Sequence, residues 1–272
     1  MSVLRAEKLA KSYGRRLVVA GVDIGVESGE IIGLLGRNGA GKTTTFQMII
    51  GLIKPEHGRI DLDGRDISGC TAPERARLGI TYLPQENSVF LKATVEENLK
   101  LILELLPYDR AERERFSSEL LNELGLMPLA GQPAHSLSGG ERRKLEICRS
   151  LTLKPKFLLL DEPFTGIDPL TIVELQKIML RLKDRGMGII ISDHNVRDTM
   201  RITDRAYILD EGQVLIEGPP AEIAASADAR KKFLGDDFEL AGGEAGATRR
   251  SNDRPGFPRG NTGTGKNKER AG

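Results

Sequence analysis

The segment Gly36-Arg37-Asn38-Gly39-Ala40-Gly41-Lys42-Thr43 limits the possible folds of this chain more than any other. It follows a short apolar run, Ile31–Leu35, which reads as a buried strand entering a tight turn. The stretch after it, Thr43–Ile53, has helical character and stops near Gly51 and Pro55. A strand, a glycine-rich loop of pattern G-x-x-x-x-G-K-[ST] and a helix form the context in which backbone N–H groups cradle phosphate. The three glycines let those N–H groups converge without side-chain obstruction, and the helix adds its positive end. Lys42 supplies a point charge for β- and γ-phosphates, and the Thr43 hydroxyl can ligate Mg²⁺. Thr44, next in the chain, is counted with the same phosphate contacts. A chance match in a chain of this composition has odds of roughly one in fifty, before the strand–loop–helix placement is considered.

Around that loop, residues 1–240 alternate strand-like and helix-like segments, the pattern of an α/β domain with a mostly parallel core sheet. The piece at 3–28 differs: alternating runs around Tyr13-Gly14 and Ser28-Gly29 predict antiparallel strands. Between 94 and 128 apolar residues recur at helical spacing (Val95, Leu99, Ile102, Leu103, Leu106, then Phe116, Leu120, Leu121, Leu124), broken by Pro107, so a helical subdomain is expected at about 86–150. Residues 241–272 are Gly-rich and carry seven Lys/Arg against three Asp/Glu, which predicts a basic, disordered tail.

Composition excludes several classes. A net charge of +1, 4% aromatic residues and no Trp give neither an electrostatic footprint nor a stacking platform for nucleic acid. No window approaches the roughly 20 apolar residues of a membrane helix, and charges sit where a signal peptide would need an apolar core. Cys70 and Cys148 have no metal-knuckle or redox spacing, and His57 and His135 neighbour turn residues.

A second constellation follows the apolar run Phe157–Leu160, which ends in Asp161-Glu162. Ligands collect at the carboxyl ends of parallel strands, so Asp161 is placed to hold the Mg²⁺ bound by Thr43. Glu162 points elsewhere and is free to take a proton from an attacking water. His194 follows the apolar strand Ile189–Ser192, a position from which it can contact a γ-phosphate. Gln85 follows Thr81-Tyr82-Leu83-Pro84, where an amide can orient water or metal.

Leu137-Ser138-Gly139-Gly140-Glu141 is a second polar-glycine turn opening a helix expected at 140–153, another anion site built from Ser138 and backbone N–H groups. Downstream of the first phosphate loop and ahead of the acid strand, this string resembles the signature motif of ABC-type ATPases. The resemblance covers essentially all of 1–240. It implies a P-loop cassette that binds and hydrolyses ATP with Mg²⁺ as the cytoplasmic motor of a transporter. Tyr13 would stack on adenine, Gln85 would be the lever that senses a transmembrane partner, and His194 the switch histidine. Thr165-Gly166-Ile167-Asp168 would communicate between two sites, with Asp168 its key carboxylate. The family also implies a homodimer in which each ATP lies between Lys42 of one copy and Ser138, Gly139 and Gly140 of the other.

Further strings are similar to the ATPases of lipopolysaccharide export: Lys42-Thr43-Thr44-Thr45-Phe46, Tyr82-Leu83-Pro84-Gln85-Glu86, the Arg142-Arg143-Lys144 run, Ser192 through Arg197, and Phe233-Leu234-Gly235-Asp236-Asp237-Phe238. The chain departs at Arg37, where Pro is common, a feature shared with branched-chain amino acid importers, and at Leu91, where a basic residue is expected. The glycine-rich tail has no counterpart in that pattern. This similarity implies two integral membrane permease subunits as partners, docking near Phe90, and a location on the inner face of the inner membrane. A branched-chain amino acid importer or a soluble iron–sulfur assembly ATPase would share the same site residues.

Overall fold

A computed structural model describes residues 1–235, 238 and 240. The expected tail at 241–272, and Asp236 and Asp237 of the terminal acidic string, lie outside the described residues.

Two sheets share the work of burying the chain. β1 (Val3–Tyr13) and β2 (Arg16–Glu27) form an antiparallel hairpin, as their alternation predicts, and β4 (His57–Leu62) and β5 (Arg65–Asp66) extend it in the order β2-β1-β4-β5. The second sheet contains β3 (Ile31–Gly36), β6 (Ile80–Leu83), β7 (Phe157–Asp161), β8 (Gly188–Ser192), β9 (Arg205–Asp210) and β10 (Gln213–Gly218). Its order is β10-β9-β3-β8-β7-β6; β10 runs antiparallel and the other five strands are parallel.

The parallel strands are buried on both faces, which explains their unbroken apolar runs. On one face Ile32, Leu34, Phe157, Leu159 and Ile190 pack against Phe46 and Met48 of α1 (Lys42–Ile49) and the inner side of the hairpin sheet. On the other, Ile31, Leu158, Leu160, Ile189 and Ile191 meet a helical layer. That layer holds α3 (Val95–Leu103), α4 (Arg110–Glu123), α5 (Gly139–Leu151) and α6 (Pro169–Asp184). Each fully buried Leu or Ile contributes about 1.5–3 kcal/mol. The short α2 (Ala72–Arg77) sits between β5 and β6, and α7 (Val196–Met200) follows β8.

Capping defines where these helices begin. Thr94, Asp109 and Ser138 each form a reciprocal box with a glutamate three residues on, satisfying N–H groups that have no partner within the helix. Asp168 caps α6 ahead of Pro169. α1 is shorter than its sequence pattern suggests because the chain turns at Gly51 (φ 81°). There the buried Arg75 guanidinium accounts for the last carbonyls of the helix, donating to Met48 O and Ile49 O, both at 2.7 Å. Among the described residues no helix is long and apolar enough to cross a membrane.

Candidate functional site

β3, β8, β7 and β6 are neighbours in the sheet, and the candidate residues leave their carboxyl ends side by side. The loop after β3 carries Lys42, β8 leads to His194, β7 ends at Asp161 and Glu162, and β6 leads to Gln85. Parallel topology therefore gathers four segments, separated by up to about 150 residues of chain, at one crevice. It has a volume of about 650 Å³ and is lined by Tyr13, Asn38, Gly39, Gly41, Lys42, Thr43, Thr44, Gln85, Glu162 and His194, with Arg16 and Val18.

The glycine loop wraps the buried Lys42. Its Nζ donates to Gly36 O (2.8 Å) and Arg37 O (3.2 Å), so the ammonium sits at the centre of the loop. Burial lowers the Lys42 pKa, opposed by the negative charges of Glu162, Asp161 and Asp193. Gly41 has φ 100°, and a Cβ there would lie 2.7 Å from Val18 O, so glycine is required by both backbone and space. Arg37 is exposed, and Gly36, Arg37 and Ala40 shape the loop without lining the crevice.

The two adjacent carboxylates, Asp161 and Glu162, face different surroundings. Asp161 is 1% exposed; its Oδ2 accepts from the Tyr82 hydroxyl (3.1 Å), and its Oδ1 is buried without a hydrogen-bond partner. Burial pushes the Asp161 carboxyl up, countered by the neighbouring hydroxyls of Tyr82, Ser192 and Thr43, of which only Tyr82 makes a hydrogen bond to it. A buried, unshared carboxylate oxygen beside a threonine hydroxyl suits Mg²⁺, which takes few protein ligands and completes its shell with phosphate and water. Among the described residues no cluster of three His, Cys, Asp or Glu offers a self-sufficient metal cage.

Glu162 has φ 47°, a left-handed conformation unusual for a non-glycine residue, and its N–H donates to Ser192 O (2.6 Å) on β8. That twist turns its side chain into the crevice. Its Oε2 accepts from Gln85 Nε2 (2.9 Å) and the Thr165 hydroxyl (3.0 Å), with His194 Nδ1 at 3.5 Å. Asp193 is fully buried, accepting from Phe164 N–H (2.9 Å) and Asn195 N–H (2.8 Å), which fixes the loop that presents His194.

Ser138, Gly139, Gly140 and Asp168 do not line this crevice. Ser138 caps α5 and is engaged with Glu141, which accepts from its N–H (2.8 Å) and hydroxyl (2.7 Å). Asp168 accepts from the Thr171 N–H and hydroxyl. A Cβ on Gly140 would lie 2.3 Å from Thr171 Cγ2, so α5 and α6 meet there at glycine-only distance.

Sequence reasoning missed Arg16 and Val18, which reach the crevice from β2 of the hairpin, and assigned no role to Tyr82 and Asp193. Arg16 lies three residues after Tyr13 across the hairpin turn, which was an available signal; the contact of Tyr82 with Asp161 depends on strand order. Phe90 is half exposed, with the Arg149 guanidinium 4.8 Å above its ring. Nearby, a groove of about 350 Å³ is lined by Leu52, Ala72, Ala76, Pro84, Ile102 and Leu153 among others.

The glycine loop after β3 and the acid pair after β7, together at the carboxyl ends of parallel strands, mark the chain as a nucleotide-hydrolysing cassette. Residues 19–165 match the family described as ABC transporter, and the chain belongs to that family as an ATP-hydrolysing subunit. Among its relatives, the lipopolysaccharide export system ATP-binding protein LptB of Acidithiobacillus ferridurans is 50% identical over 238 residues, 88% of this chain and 99% of that protein. LptB of Escherichia coli K12 is 46% identical, covering 88% of this chain and all of that protein. A nucleotide-free ATP-binding cassette from an ABC transporter superposes with a TM-score of 0.78 at 28% identity, over 87% of this chain and all of that structure.

Proposed function

We propose that this chain is the cytoplasmic ATPase of a lipopolysaccharide exporter, bound to the inner face of the inner membrane through two integral permease subunits. The carrying observation is the identity of 46–50% with proteins named LptB along nearly their whole length. The crevice supports the residue roles. Loop N–H groups from Gly36 to Thr44 and the start of α1 receive the phosphates, Lys42 lies against the β- and γ-phosphates, and Tyr13 stacks on adenine. Thr43, Asp161 and Gln85 would hold Mg²⁺, which neutralises charge developing on the transferred phosphoryl group. Glu162 accepts a proton from the attacking water, and its three neighbours (Gln85, Thr165 and His194) hold the carboxylate in place. His194 contacts the γ-phosphate.

The crevice is half of a site. Ser138, Gly139 and Gly140 stand away from it although they form a second anion-binding turn, so they serve the ATP of a second copy, and Asp168 lies in the loop joining the two sites. ATP closes the pair by its higher affinity for the closed state, and hydrolysis releases it. The groove beside Phe90 receives the membrane subunits. Affinity purification from detergent-solubilised membranes tests this reading: two integral membrane proteins should co-purify with the wild-type chain and be lost with Phe90→Ala, which keeps ATP binding. Recovery of a soluble partner alone would overturn it.

A further inference from the structure

Of the two Asp161 oxygens, Oδ2 accepts from Tyr82 and Oδ1 is buried without a hydrogen-bond partner. On β6, Tyr82 pairs with Leu159 of β7, and Asp161 lies two residues further along β7 on the same face. This register carries the Tyr82 hydroxyl to 3.1 Å from Oδ2. The ring is held as well. It packs edge-on against Phe46, with centroids 6.3 Å apart and planes at 82°, on the helix that begins with Lys42 and Thr43. The metal-side carboxylate and the phosphate-side helix are therefore both braced by one aromatic side chain.

A carboxylate at the end of a strand can rotate and share a cation through either oxygen. A donor fixed on Oδ2 removes that freedom and leaves Oδ1, which is buried and has no hydrogen-bond partner, to face the cation. We propose that Tyr82 is a positioning residue for the metal site, acting through Asp161 and touching neither nucleotide nor metal. The inference rests on the reading of Asp161 as a metal ligand. Partners that orient ligating carboxylates typically control metal affinity by about 10–100-fold.

Tyr82→Phe deletes only the hydroxyl and keeps the ring against Phe46. Mn²⁺, as a paramagnetic stand-in for Mg²⁺, is titrated into the full-length protein saturated with a non-hydrolysable ATP analogue, and the free ion is read by electron paramagnetic resonance. Tyr82→Phe should weaken Mn²⁺ binding about tenfold or more. Analogue affinity in EDTA and the melting temperature should stay close to wild type. Asp161→Asn serves as the reference for loss of the ligand. If Asp161→Asn weakens Mn²⁺ while Tyr82→Phe binds it within about twofold of wild type, on the same scale, the proposed role of Tyr82 is wrong. Equal loss of analogue binding in EDTA would mark Tyr82 as a structural residue and also overturn it. Unchanged Mn²⁺ affinity in Asp161→Asn would instead remove the ligand assignment on which the inference stands.

Discussion

Replacing Lys42 by methionine separates what this residue does for the fold from what it does for the ligand. Lys42 is 5% exposed, and its ammonium donates to two loop carbonyls, Gly36 O and Arg37 O. Hydrogen bonds from a charged donor are worth about 1.5–3 kcal/mol each. Burying a cation costs several kcal/mol, however, and burial is what lowers the pKa of Lys42. These contributions nearly cancel, so the ligand-free variant should melt within a few degrees of wild type. The ligand side has no such cancellation. A unit charge about 4 Å from a phosphate oxygen, at an effective dielectric of about 20, contributes on the order of 4 kcal/mol, close to a thousandfold in affinity. Thermal unfolding with and without a non-hydrolysable ATP analogue and Mg²⁺ measures both. At a ligand concentration of about 100 Kd, wild type gains about 2.7 kcal/mol, or roughly 5–10 °C for a domain of this size. Lys42→Met at the same concentration should gain less than about 1 °C. An equal ligand-induced shift in both proteins would refute the placement of Lys42 against phosphate. A collapse of the ligand-free variant would refute the cancellation.

Other consequences can be measured on the isolated protein. Arg75 is 1% exposed and also donates to Ser68 O and Cys70 O, both at 3.0 Å. Arg75→Met should cost about 3 kcal/mol or more in urea unfolding, since four carbonyls lose a charged donor and Ile49 O, at the end of α1, loses the Arg75 donor on which it depends. The Ser138 hydroxyl and N–H hold the Glu141 carboxyl below its usual range. The resulting stabilisation is present above the unfolded value of about 4.3 and is lost as pH falls through the lower folded value. The melting temperature of wild type should therefore exceed that of Glu141→Gln at neutral pH, with the difference vanishing in acid. Of the two free thiols, Cys148 is buried and its pKa is raised by burial, whereas Cys70 is partly exposed. A thiol reagent should label Cys70 in the native state and Cys148 only on unfolding.

Which parts of this were legible in the chain follows from how local the signals are. The glycine loop, the acid pair after Leu160 and the turn at Ser138 are contiguous strings whose chemistry shows in their own residues, and the resemblance to ABC-type ATPases rests on them. The doubly buried strands were visible as short apolar runs. Sheet order was not, because parallel strands are joined through long crossovers, and nothing near Tyr82 in the chain announces that β6 lies beside β7. The contact of Tyr82 with Asp161, the entry of Arg16 and Val18 from β2, and the carbonyls gathered by Arg75 all depend on neighbours distant in sequence. At the end of α1, Ile50, Leu52 and Ile53 continue an apolar pattern, but the helix stops beside Gly51, the nearer of the two expected breaks, and the part of Arg75 in closing it was not visible.

The proposed function requires ATP to be enclosed between two copies of this chain. Light scattering of Glu162→Gln with ATP and Mg²⁺ addresses this directly, because the substitution should retain nucleotide while blocking its hydrolysis. A species of twice the 29.8 kDa chain mass is expected in ATP, a monomer in ADP, and no dimer when Ser138→Arg is added. A Glu162→Gln protein that binds ATP and stays monomeric, or one that dimerises equally well with Ser138→Arg, would contradict it.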